Sequence, residues 1–158
     1  MIQIIKDIFT NHVVLAPAFA WLLCQIIKII INVVVERKFT LERLFGDGGM
    51  PSGHSATVTC LVVMVGWTAG FDSPLFAISG VLAMIVMHDA MGVRREAGKQ
   101  AVSIKELAEA INKAFLSHDN AIKTQNLKVL VGHTPLQVFF GALVGVLFAV
   151  GYILLFLR

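Results

Sequence analysis

This chain reads as an all-α, polytopic membrane bundle of about four transmembrane helices with one amphipathic cytoplasmic helix, and three observations lead there. Apolar residues make up 57 % and charged residues 15 % of 158 positions, whereas soluble domains run nearer one half and one quarter. The apolar residues gather in four runs, each close to the roughly 20 residues that cross a hydrocarbon core. The basic residues cluster in the two long connections between those runs. A single integral membrane domain, 1–158, is the organisation expected at this length.

Residues 1–11 form a short start carrying Lys6 and Asp7. The first span is predicted over 12–35. Ala18-Phe19-Ala20 has the small-x-small form of a signal cleavage site, but the apolar run continues past it, so no cleavage is expected. Within this span Gln25, Lys28 and Asn32, with Glu36 at its end, share one narrow sector at about 100° per residue. Polar groups in hydrocarbon usually face a bundle interior or a wet cavity. Lys28 lies about two turns inside the nearer end, a long way to snorkel, and is expected to face inward.

The connection 36–53 ends in Gly48-Gly49-Met50-Pro51-Ser52-Gly53-His54-Ser55-Ala56. A second span is predicted over 54–71. Asp72-Ser73-Pro74 is a tight turn, so the third span, 74–93, packs antiparallel to the second. Asp89 falls near the end of that span and is a site candidate because it is still within the apolar run; a surface Asp–Arg pair is the plainer alternative. In the polar stretch 94–132, Ile104, Leu107, Ala108, Ile111, Ala114 and Phe115 recur at helical spacing, opposite Lys105, Glu106, Glu109 and Lys113. This amphipathic helix either lies on the membrane, packs over a site or forms a solvated hairpin. Gly132-His133-Thr134-Pro135 opens the fourth span, 134–157, in which Gly141 and Gly145 have the small-xxx-small spacing of close helix contacts. Cys24 and Cys60 lie inside apolar runs and read as packed thiols.

Four spans put both termini on one side and both connections on the other. Arg37, Lys38, Arg43, Arg94, Arg95, Lys99, Lys105, Lys113, Lys123 and Lys128 all fall on the second side, ten of the thirteen basic residues. The positive-inside rule makes that face cytoplasmic. With a net charge of only +3, no nucleic-acid partner is expected. His54, Asp89, Arg94, His133 and the Lys28 stripe all open onto the same face.

A helix entered through Pro51, Ser52 and Gly53 presents unpaired N–H groups, and Ser52 is a preferred cap. Such a helix start, flanked by lysine and arginine, suits a phosphate. One neutral imidazole attacks phosphorus while another protonates the leaving oxygen. The cations stabilise charge on the equatorial oxygens. No metal-ligand spacing is evident, so the simpler mechanism uses no metal and no cofactor. The plainer reading of the motif is a capped glycine-rich turn with His54 facing headgroups.

Pro51-Ser52-Gly53-His54 resembles the central motif of the type 2 phosphatidic acid phosphatase superfamily, which includes vanadium haloperoxidases. His133-Thr134-Pro135-Leu136-Gln137-Val138 followed by Gly141 and Gly145 resembles its last motif. Together with Asp89-Ala90-Met91-Gly92-Val93-Arg94 and Ala97-Gly98-Lys99-Gln100-Ala101, the pattern is similar to the divergent branch of bacteria and plastids. The resemblance implies His133 as the phosphorylated nucleophile and His54 as the general acid. It implies Arg94 or Arg95 as the phosphate-binding arginine. The first motif is not intact, leaving Lys28, Arg37 and Lys38 as candidates for its duties, with Ser52 and Gly53 completing the phosphate site. Gln137 stands where the superfamily has the aspartate that orients the nucleophile; it can accept a hydrogen bond from the imidazole but brings no charge. Asp89 is the alternative for that role. The superfamily has six core helices, and a homodimer would complete a smaller bundle.

The expected activity is therefore hydrolysis of a lipid phosphomonoester, such as phosphatidic acid or phosphatidylglycerophosphate, in a bacterial inner membrane or plastid-type membrane. The alternatives are an isoprenyl diphosphate phosphatase, a non-enzymatic lipid-phosphate binding or transport protein, and a structural membrane subunit. A cysteine placed at Arg43 or Lys113 should react with an impermeant thiol reagent only from the cytoplasmic side. Labelling from outside would invert the topology and favour the isoprenyl substrate.

Overall fold

The computed structural model describes residues 1–36, 49–115 and 133–158, with the backbone alone at 35–36, 93–95 and 114–115. Among these residues the chain is helical throughout its regular elements: α1 (Ile2–Thr10), α2 (His12–Glu36), α3 (Gly53–Ala69), α4 (Pro74–Met91), α5 (Val93–Phe115) and α6 (Pro135–Phe156). Helix α3 is the centre of the bundle and packs against α6, α2 and α4, while α2 also meets α6.

Burial runs opposite to that of a soluble bundle. The core joins Ala16 and Ala20 of α2, Cys60 and Met64 of α3, and Ala149 and Ile153 of α6. Large side chains such as Ile78, Ile85, Leu147 and Leu155 point outward and are exposed. Lipid solvates those side chains as well as protein does, so no hydrophobic drive pulls them inward. Small residues at the contacts instead let backbones approach closely.

Three helical stretches are long and apolar enough to cross a membrane: His12–Val34, the run Pro74–Lys113 that begins with α4, and Pro135–Phe156. The fourth expected span is shorter. Helix α3 has 17 residues, about 26 Å at 1.5 Å per residue, a little less than the roughly 30 Å core. It starts at Gly53 and stops at Gly70, whose φ of 96° suits glycine. The expected turn follows. Ser73 caps α4 by accepting the Phe76 N–H at 3.2 Å and donates its hydroxyl to the Gly70 carbonyl at 2.7 Å.

Two elements differ from the sequence expectation. Residues 2–10, within the short start to which the sequence reading assigns no element, are a helix, separated from α2 by Asn11 in an extended conformation. The amphipathic helix begins at Val93, directly after Gly92, well before the apolar periodicity that reveals it. Strong helix formers and the Lys99–Glu96 pair at 2.6 Å support those early turns. In α5, Ala108 is buried while Ile104 and Leu107 are exposed.

Glycines set the α3–α6 distance. A Cβ added at Gly141 would strike the Ser52 carbonyl and lie 3.0 Å from the Ser52 nitrogen; one at Gly145 would strike Ala56 and Thr59. Thr59 Oγ1 donates across the same contact to the Ala142 carbonyl at 3.2 Å. Gly141→Ala and Gly145→Ala should each destabilise the purified protein by about 1–3 kcal/mol, the usual scale of overpacking. Gly151→Ala, with nothing within 4 Å of its Cβ, should leave stability unchanged or raise it by about 0.5–1 kcal/mol. Thermal unfolding in one detergent ranks the three, and equal behaviour would refute the contact.

Candidate active site

The starts of α3 and α6, the end of α4 and the second half of α2 meet at one end of the bundle. Ser52 caps α3: its Oγ accepts the Ser55 N–H at 3.3 Å and the Ser55 hydroxyl at 3.0 Å. Its own N–H donates to the Gln137 carbonyl at 3.0 Å, which ties the first turn of α6 to the start of α3. With both polar groups engaged and the residue fully buried, Ser52 holds the turn rather than presenting its hydroxyl. The N–H groups of Gly53 and His54 have no partner among the described residues. Gly53 sits close under α2, since a Cβ there would lie 3.0 Å from Trp21 Cδ1 and the indole would have to give way.

His133 is 3 % exposed and sits just ahead of α6. Its backbone N–H donates to the Ala90 carbonyl at 3.1 Å, fastening it to the end of α4. Thr134 and Gln137 form a capping box: Gln137 N–H donates to Thr134 Oγ1 at 3.4 Å, and Thr134 N–H donates to Gln137 Oε1 at 2.9 Å. The same Oε1 lies 3.3 Å from His133 Nδ1. Because a backbone N–H already identifies this amide atom as the oxygen, it can only accept from the ring. A neutral His133 held this way carries its proton on Nδ1, which makes Nε2 the unprotonated ring nitrogen. The His54 ring faces it, with centroids 6.3 Å apart and planes inclined at 60°.

Helix α2 supplies a polar wall. Gln25, Lys28 and Asn32 are all buried, as the shared sector predicted. The Lys28 stem lies 3.9 Å from the Cβ position of Gly49, whose φ of 96° suits glycine. Lys28 thus runs along the turn that leads into Ser52. Asp89 is half-buried next to Ala90, the residue that holds His133, whereas His88 is exposed. Arg94 and Arg95 belong to the first turn of α5, one turn beyond Ala90; their side chains lie outside the described residues, as does Lys38 altogether.

Two functional contacts were missed in the sequence. The S/T-x-x-E/Q pattern of Thr134-Pro135-Leu136-Gln137 signals the capping box, and reading it would have given Gln137 a structural task beside the imidazole. Trp21, lying over Gly53, leaves no local signal because it comes from a distant part of the chain.

Comparison with known proteins agrees with this arrangement of motifs. A family model described as "Divergent PAP2 family" matches residues 9–148. The uncharacterized membrane protein YuiD of Bacillus subtilis (strain 168) is 42 % identical over 147 residues, covering 89 % of this chain and 93 % of that protein. No solved structure matches the chain significantly.

Gln137→Ala should remove both the cap and the ring contact. We expect a loss of about 1 kcal/mol, typical of a helix cap, and loss of the single Nδ1–H tautomer of His133 in nitrogen-15 NMR. Gln137→Glu, which keeps an acceptor oxygen for both contacts, should preserve that tautomer. An unchanged His133 spectrum in the alanine variant would show that Gln137 does not set the ring.

Proposed function

The chain belongs to the divergent PAP2 family, and from that premise we propose that it is a metal-independent phosphatase of lipid phosphomonoesters working at the cytoplasmic face of the membrane. The observation that carries the reading is the pair of imidazoles 6.3 Å apart, one of them held by Gln137 Oε1. In-line displacement puts nucleophile and leaving group on opposite sides of phosphorus. Two near-attack approaches of roughly 3 to 3.5 Å each call for reacting ring nitrogens about 6 to 7 Å apart, a spacing that facing rings with centroids 6.3 Å apart can provide.

In this mechanism His133 Nε2 attacks phosphorus and forms a phosphohistidine as the bond to the lipid oxygen breaks. His54, as imidazolium, gives its proton to that oxygen. The alcohol product leaves, and water deprotonated by the now neutral His54 attacks the phosphohistidine. Phosphate and both histidines are then regenerated. The N–H groups of Gly53 and His54 and the Lys28 ammonium carry the charge of the equatorial oxygens, and Arg94, Arg95 and Lys38 are assigned to the same task. Asp89 is assigned the task of stabilising the His133 imidazolium, because Gln137 adds no charge. Phosphatidic acid and phosphatidylglycerophosphate are the substrates that fit a cytoplasmic site; an isoprenyl diphosphate would fit an outward one.

Gln137 favours a second reading, in which the site binds lipid phosphates without turning them over. Purified protein assayed against lipid monophosphates and isoprenyl diphosphates decides between them. We expect phosphate release from a monophosphate, its abolition with loss of phosphoenzyme in His133→Ala, and a roughly 10²- to 10⁴-fold slowing in His54→Ala. That slowing should shrink for leaving groups that need no proton. Binding without release supports the second reading; neither binding nor release removes both.

A further inference from the structure

Helix α1 lies at the end of the bundle away from the candidate site and has no part in it. At about 100° per residue, Gln3, Lys6, Asp7 and Thr10 share an arc of about 100°. Ile2, Ile4, Ile5, Ile8 and Phe9 occupy the opposite side, and each is at least 50 % exposed. The helix buries none of its residues, and its main packing among the described elements is against α2, its neighbour in the chain. Five large apolar side chains on nine residues thus keep half or more of their surface uncovered by the described residues.

The tether identifies what covers them. Asn11 is extended, at φ −76° and ψ 106°, and its Oδ1 accepts the Val13 N–H at 2.9 Å. It therefore ends one helix and caps the next, so the axis of α1 does not continue that of α2. Helix α2 opens an apolar stretch, His12–Val34, long enough to cross a membrane, and its start belongs at the bilayer surface. A nine-residue helix is about 13.5 Å long and is joined there through one residue, so it stays within reach of the headgroups.

We propose that α1 is an interfacial helix, lying in the bilayer surface with Ile2, Ile4, Ile5, Ile8 and Phe9 in the acyl region, continuous with the lipid-facing flank of α2 that begins at Val14. Lys6 and Asp7 offset each other, so the attraction is to hydrocarbon and does not depend on anionic headgroups. The consequence is positional. Helix α2 has 25 residues, about 37 Å, which exceeds the roughly 30 Å core, so its length alone does not set the depth of its ends. A helix laid in the surface fixes the depth of its first residue, and with it the depth of Lys28 near the other end. This holds whether or not the site turns over phosphate.

The test uses the full chain in vesicles. Cys24 and Cys60 are free and fully buried, so a nitroxide reagent is directed to a new cysteine at Ile5→Cys or at Gln3→Cys, two exposed positions on opposite arcs. In phosphatidylcholine vesicles, oxygen should relax the label at 5 more strongly than a water-soluble nickel chelate does, and the ratio should reverse at 3. Equal parts of phosphatidylcholine and phosphatidylglycerol should give the same ratios. Chelate access at both positions would place α1 in water and overturn the proposal. Exclusion of both reagents at 5, with spin–spin broadening between chains, would mean that a second copy covers the face and would overturn it as well.

Discussion

Contact between α3 and α6 at Gly141 and Gly145 is the constraint on which the rest of this structure depends. Lipid gives two helices no hydrophobic reason to associate, so their affinity comes from close packing and from hydrogen bonds made across the contact. Both are present here: hydrogens alone face Ser52 and Ala56, and Thr59 bonds the Ala142 carbonyl. At that spacing the Ser52 N–H reaches the Gln137 carbonyl. The two helix starts are thereby locked side by side, and His54 and His133, each at one start, are brought ring to ring.

Local helix chemistry then does the fine positioning. A cap satisfies backbone donors that would otherwise be orphaned at a helix start, where water is scarce. Thr134 and Gln137 do so for α6, and Ser52 does so for α3. In each case the capping group also touches the candidate site: Gln137 Oε1 orients an imidazole, and Ser52 leaves the next two N–H groups without a protein partner among the described residues. Stability and prospective chemistry therefore share the same atoms.

The polar face of α2 is the other costly investment. Gln25, Lys28 and Asn32 are buried side by side, and Gln25 Oε1 has no hydrogen-bond partner among the described residues. An unsatisfied buried acceptor costs about 1–3 kcal/mol. Helices made only for packing have no reason to carry that load, which is the physical ground for reading α2 as part of a site rather than as a wall.

Much of this was legible in order along the chain. Apolar runs of spanning length, separated by charged connections, determine a helical membrane bundle whatever the details of packing, because the bilayer leaves helices as the available solution for such runs. The sector shared by Gln25, Lys28 and Asn32 determines that they face one way. The early start of α5 and the helicity of residues 2–10 were not legible, since a charged helix and a very short one lack the long apolar period that sequence reading relies on. Only the tertiary structure decided how closely the rings of His54 and His133 approach, that Ser52 is spent on Gln137 and that Trp21 covers Gly53. Those pairings join residues from different helices, and their distances follow from where a Cβ is missing at a crossing, a property of two surfaces together that neither segment of sequence contains alone.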